Sequence, residues 1–174
     1  MRVSVFIATS VDGFIAREDD ALDWLPVAGG EPHGYDEFIS TVDTIVIGRK
    51  TFETVLTYET WPYEHTPVVV LSTQLTTVMV PEGAVLEVMA GAPSEIVARL
   101  GARGVKHIYV DGGKTIRGFL AAGLIQRLTI TRVPILLGSG IPLFGVLPHD
   151  IRLEHLATQS YASGLVKTEY RVVP

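Results

Sequence analysis

The hydrophobic pattern along this chain changes period several times, and the changes mark alternating strands and helices. Residues 2–9 (RVSVFIAT) are apolar and β-branched with little alternation, the pattern of a strand covered on both faces. Similar short apolar runs predict strands at 44–48, 67–71, 86–89 and 107–110. Helical spacing appears between them. In 34–42 (GYDEFISTV) the side chains of Tyr35, Phe38, Ile39 and Val42 fall on one face. Further helices are predicted from Arg49 to about Val55, from a Ser94 cap to about Leu100 with Gly101 or Gly104 as the stop, and from about Lys114 to Gly123. The remainder reads as a strand at 127–133, an apolar, glycine-broken loop at 134–144, and two strands at 152–158 and 165–173 that close a hairpin. Residues 16–33 carry neither period. Uncovered loops of that length in compact domains are often lids or binding loops.

Strands alternating with helices imply an α/β fold, mostly parallel in the middle, with an antiparallel pair at the end. In such sheets ligands sit beyond the carboxyl ends of the strands. Three predicted strand ends carry groups suited to a nucleotide. One has Gly48, Arg49, Lys50 and Thr51, the second Ser72 and Thr73, and the third Gly112, Gly113, Lys114 and Thr115. Adjacent glycines let backbone approach a ligand closely, and a helix that starts just after them points free N–H groups and its dipole at an anion. The same glycines also fit a plain strand-to-helix joint. Neither the P-loop nor the Rossmann fingerprint is met: the first needs a glycine where Ile108 stands, the second three spaced glycines. Pro142 keeps the glycines at 138 and 140 from opening a helix.

Composition narrows the partners. The 174 residues show no compositional break, which fits one domain with a large core. A formal charge of −5 with no basic block speaks against nucleic acid. No apolar run approaches the roughly 20 residues of a membrane helix, and the first ten residues look like a buried strand rather than a signal peptide. The absence of cysteine removes disulfides and zinc thiolates and fits a cytoplasmic protein. No metal site is expected, and the zinc-deaminase signature is missing.

Individual polar residues have two readings each. Asp12 is a turn former or a ligand group; Trp24 flanks a flat ring or plugs a sheet edge. Asp36 and Glu37 either complement the N-terminus of a helix or reach substrate. Asp111, at the end of the central strand, is likewise a helix-terminal charge or a carboxylate facing substrate.

Taken in order, SVDGFIA (10–16), the loop holding Trp24, IGRKTF (47–52), VLS (70–72) and YVDGG (109–113) resemble the dihydrofolate reductase superfamily across nearly the whole chain. VDGG (110–113) and PILLGSG (134–140) look more like its riboflavin-pathway pyrimidine reductase branch, the RibD C-terminal type. The resemblance implies NADPH. Gly48, Arg49, Lys50, Thr51, Ser72 and Thr73 would hold the adenosine 2′-phosphate and pyrophosphate, with Arg49 the best cation for the extra phosphate. Gly112, Gly113, Lys114, Thr115 and Ile116 would cradle the pyrophosphate and nicotinamide end, and Ala8 and Ile15 the nicotinamide. It also implies a cis peptide between Gly112 and Gly113. One departure stands out: folate reductases carry a helix carboxylate four residues before a phenylalanine, and counting back from Phe38 reaches Gly34. Asp111 first and Asp36 second are therefore the candidates for catalysis, with Trp24, Glu37 and Phe38 for substrate contact. The expected reaction is hydride transfer to a ribosylaminopyrimidine phosphate or a related heterocycle, with dihydrofolate as runner-up and a non-catalytic nucleotide-binding protein as the rival class. A homodimer is expected because reductases of this branch commonly pair; the apolar 134–144 loop either forms the interface or packs within its own chain.

Overall fold

A computed structural model describes residues 1–26, 30–75 and 78–174. The middle of the expected 16–33 loop, residues 27–29, lies outside the described residues. In chain order the elements are β1 (Arg2–Ser10), β2 (Phe14–Ala16), α1 (Tyr35–Ile39), β3 (Thr44–Gly48), α2 (Arg49–Val55), β4 (Val68–Leu71) and β5 (Leu86–Met89). They continue with α3 (Pro93–Ala102), β6 (His107–Asp111), α4 (Gly113–Ala121), β7 (Arg127–Val133), β8 (Ile141–Pro142), β9 (Leu153–Ser160) and β10 (Val166–Val172).

Eight strands form one sheet in the order β5-β4-β3-β6-β1-β7-β10-β9. Pairings from β5 to β7 are parallel, and β10 joins β7 and β9 antiparallel. This is the expected α/β arrangement. Alternation along each strand splits the core in two. Val3, Val5, Ile108, Val110 and Leu128 meet Ile96 and Leu100 of α3 and Ile116, Phe119 and Leu120 of α4. On the opposite face Phe6, Ile45, Ile47 and Tyr109 meet Phe52 and Val55 of α2 and the Tyr35 and Phe38 rings of α1. Among the described residues no helix is long and apolar enough to cross a membrane.

Several local expectations are corrected. The 34–42 helix is only five residues long, because the Ser40 and Thr41 hydroxyls donate back to the Glu37 and Phe38 carbonyls at 2.8 and 2.7 Å and close the last turn. Ser94 does not cap α3. Pro93 occupies the first helical position, and the Glu95 carboxylate accepts the Ala92 N–H at 2.8 Å. Within the 134–144 stretch, β8 pairs with β2 as a small separate ribbon, Phe14 opposite Pro142 and Ala16 opposite Ile141. Two- and three-residue strands are too short for a period to show.

Candidate active site

Every strand from β3 to β7 ends at the same edge of the sheet, and the glycine junctions of β3 and β6 lie side by side there. A β-carbon on Gly48 would stand 2.8 Å from the Thr115 hydroxyl, and one on Gly112 would collide with the Thr51 hydroxyl. Glycine at both places lets α2 and α4 start against each other. The N–H groups of Gly113, Lys114 and Thr115 lie in the first turn of α4, where helix geometry leaves them without intrahelical acceptors. Ile116 is different: its N–H donates to Gly112 O at 2.8 Å and its side chain is fully buried, so it lies outside that donor set. The described residues contain no cis peptide, which corrects the expected bond between Gly112 and Gly113. The chain turns there through Gly112 at φ 93°, a conformation open to glycine.

The neighbouring polar groups are partly engaged. Arg49 donates to Glu53 at 2.7 Å and to Gln74 at 2.6 Å and remains half exposed. Lys50 is exposed, 3.8 Å from Asp20 of the loop that follows β2. The Ser72 oxygen accepts the Gln74 and Leu75 N–H groups, both at 3.1 Å, so it builds the turn after β4; Thr73 is exposed. Ile15 packs against Gly113, where a β-carbon would be 2.7 Å from its Cδ1. Asp12 turns the chain as expected and also ties it to the 134–144 segment, accepting the Ser10 hydroxyl at 2.6 Å and the Gly138 N–H at 2.8 Å. These bonds, Ser10 foremost, hold its carboxyl below the usual carboxylate range.

Asp111 closes β6 on the face occupied by α1 and α2. Its Oδ1 accepts the Gly112 N–H at 2.8 Å, yet burial outweighs that bond and pushes the carboxyl up to about 6. Tyrosines gather around it. Tyr109 donates to Phe6 O at 3.0 Å, and its hydroxyl is raised by burial and then by Asp111. Tyr35 of α1 is pushed up to about 12, by burial first and then by Asp111 and Asp36. The β1–β6 register pairs Ser4 with Tyr109 and ends there.

From Phe6 the same face runs outward across β7 and β10. Phe6 pairs with Thr129 and Thr129 with Glu169; one row further, Ala8 pairs with Thr131 and Thr131 with Lys167. Above these rows a cavity of about 490 Å³ opens beneath α1, lined in part by Glu37 and Phe38. The Phe38 ring stacks on Phe6 at 4.9 Å and meets Tyr109 edge-on at 5.1 Å. Asp36 is exposed and does not line the cavity. Trp24 is buried with Ala8, Val133 and Leu165, its indole N–H unpartnered. At Gly34, the position that departs from the folate-reductase pattern, a β-carbon would stand 2.8 Å from the Lys167 amine, so an ammonium occupies this space.

Residues 2–167 match the family model of the RibD C-terminal domain. The chain belongs to that family. It is 33% identical over 164 residues to the uncharacterized protein YwjB of Bacillus subtilis (strain 168), covering 92% of each. Among solved structures, a putative riboflavin biosynthesis protein from Shewanella sp. PV-4 is 38% identical over the full length of both chains, with a TM-score of 0.88. The deaminase/reductase of Thermotoga maritima, 13% identical with TM-score 0.76, matches over 56% of its own length and 99% of this chain. A dihydrofolate reductase of Enterococcus faecalis, solved with NADP(H), is 20% identical with TM-score 0.68, covering 99% of this chain and 97% of its own. The last two show the shared dihydrofolate reductase-like fold.

In this RibD C-terminal domain, sequence reading gave Tyr35 only a place on an apolar helix face and assigned no role to Tyr109, Thr129, Thr131, Lys167 and Glu169. A signal was present: β7 alternates Leu128 and Ile130 with Thr129 and Thr131, which makes one strand face polar beside the sheet's centre.

Proposed function

We propose that the protein is an NADPH-dependent reductase acting on a ribosylaminopyrimidine phosphate or a related heterocycle. The observation that carries this reading is Asp111: a carboxyl raised by burial at the carboxyl end of the central strand, between the glycine junction and the cavity under α1. The fold of the NADP(H)-bound relative adds support, as does membership of the RibD C-terminal domain family.

The chain's residues suit the dinucleotide. Free N–H groups at the start of α4 would take its pyrophosphate, and Arg49 and Lys50, exposed at the start of α2, would face the 2′-phosphate. Ala8, Ile15 and the orphaned Thr131 hydroxyl would meet the ring end. When bound, the dihydronicotinamide supplies a hydride. The protein then has three tasks. The sheet edge fixes the distance between ring and substrate. Phe6, Phe38 and Trp24 exclude water from one side. Asp111, with its acid range moved toward neutrality, holds the proton that balances hydride addition at a C=N carbon.

Lys167 beside Gly34 favours the pyrimidine over dihydrofolate. An amidine-bearing ring needs an acceptor at that corner, and the ammonium is a donor only. NADPH oxidation followed by absorbance, with each substrate supplied separately, tests the reading. Turnover of the pyrimidine and not of dihydrofolate is expected; turnover of neither would leave a nucleotide-binding protein without this activity.

A further inference from the structure

His107 is a buried titratable residue that neither the hydride step nor the proton step uses. It opens β6 at the end of the strand away from the glycine junction and is only 4% exposed. Alternation sets His107, Tyr109 and Asp111 on one face of β6, so this ring begins the column that ends at the candidate acid. Its Nδ1 lies 2.8 Å from the Thr41 carbonyl oxygen, and its Nε2 lies 2.9 Å from the Ser4 hydroxyl. A carbonyl only accepts, so these contacts assign the hydrogen to Nδ1 and leave Nε2 to accept from Ser4. The Arg2 guanidinium, 3.0 Å from Nδ1, belongs to an exposed residue that can turn to water, whereas the Thr41 carbonyl is fixed in the backbone. Burial, acting against the Thr41 bond, holds the ring below the usual imidazole range and keeps it neutral.

Thr41 closes the last turn of α1. That helix needs an outside hold, because it is five residues long, no side chain caps it and none of its residues is buried. Rings set its depth: Phe38 stacks on Phe6 at 4.9 Å and stands edge-on to Tyr109 at 5.1 Å and to His107 at 5.7 Å. Hydrogen bonds are more directional and set its rotation. Asp43 accepts the Lys106 and His107 N–H groups at 2.8 and 2.9 Å and ties the chain after α1 to β6. The His107 ring reaches the turn of α1 itself. We propose that His107 is a positioning residue for the candidate site: its bond to Thr41 fixes the rotation of α1 and, with it, the places of Glu37 and Phe38 above the cavity. The proposal rests on the reductase reading for what the cavity binds, and it adds a residue outside the lining.

Two substitutions separate the ring nitrogens. An asparagine amide stands where Nδ1 stood and still donates to Thr41; a glutamine amide reaches the Nε2 position and leaves the carbonyl bare. Hydrogen exchange is read at Ser40, Thr41 and Val42, whose N–H groups bond within the end of α1. In His107→Gln exchange there should quicken about tenfold, the effect of a buried carbonyl left unpaired. Affinity for the ribosylaminopyrimidine phosphate, measured by calorimetry without NADPH, should fall about tenfold in the same variant, with NADPH affinity unchanged. His107→Asn should keep exchange and both affinities within about threefold of the wild type. Equal losses of the two ligands in His107→Gln, or an asparagine variant as weak as the glutamine one, would overturn the proposal, because a general loss of packing gives either result. If His107→Gln melts early, nitrogen NMR of the wild-type imidazole decides: hydrogen on Nδ1 is expected, and hydrogen on Nε2 would refute the tether. Wild-type protein that does not bind the pyrimidine would overturn the reductase reading and the role in the site together, whereas wild-type binding that His107→Gln leaves intact would overturn the role alone.

Discussion

Replacing Asp111 with asparagine separates the chemistry of the carboxyl from its cost. Burial holds this carboxyl at about 6, roughly two pH units above an unperturbed aspartate. A raised folded-state value means that the unfolded chain releases its proton first, so the stability due to this group is full below about pH 4 and is lost as pH rises through about 6. Two units at about 1.4 kcal/mol each amount to a loss of about 3 kcal/mol by pH 8. An asparagine keeps an oxygen for the Gly112 N–H and cannot ionise. Urea unfolding of both proteins at pH 4 and pH 8 should therefore show the variant gaining about 2–3 kcal/mol on the wild type between the two conditions. Catalysis should move the opposite way, falling about a hundredfold or more with the acid gone, and wild-type kcat/KM should decline above about pH 6. A variant whose stability tracks the wild type within about 0.5 kcal/mol at both pH values would show that the carboxyl is not held up by burial. Full activity in the same variant would remove Asp111 as the proton source.

Other perturbations test separate parts of the site. Arg49→Ala should cost NADPH about tenfold in affinity and NADH much less, measured by fluorescence titration; equal losses would take Arg49 off the 2′-phosphate. Thr131→Val removes a buried hydroxyl that has no partner, so it should raise the melting stability of the ligand-free protein by about 1 kcal/mol. A loss of that size would mean the hydroxyl is satisfied before any ligand arrives. Light scattering should give the mass of two chains, with Leu136 and Phe144, 71% and 43% exposed, at the contact, and Leu136→Glu should shift it toward one. A wild-type monomer at micromolar concentration would leave that apolar pair without the assigned role.

What could be read from the sequence follows the strength of the local signal. The parallel strands were legible because each is a run of β-branched residues buried on both faces, as Val68, Val69 and Val70 show. The glycine junctions at Gly48 and Gly112 were legible because a strand, a glycine and a helix start follow one another directly. The β2–β8 ribbon was not, since its pairing depends on Gly140 passing tightly against Phe14 and Ala16 from a distant part of the chain. The cavity was hidden for a similar reason. Glu37 was legible as a substrate contact only through the family resemblance, Lys167 and Glu169 carry no local signal, and only the β7–β10 register brings the last two beneath α1. Asp36 shows the converse: proximity in sequence to the expected helix position suggested a role, while its place on the helix leaves it in solvent.

The most direct test of the account is NADPH oxidation with a ribosylaminopyrimidine phosphate and dihydrofolate offered one at a time. Turnover of the pyrimidine, with dihydrofolate inert and Asp111→Asn dead, is the predicted result. Turnover of dihydrofolate alone, or undiminished turnover without the Asp111 carboxyl, would contradict it.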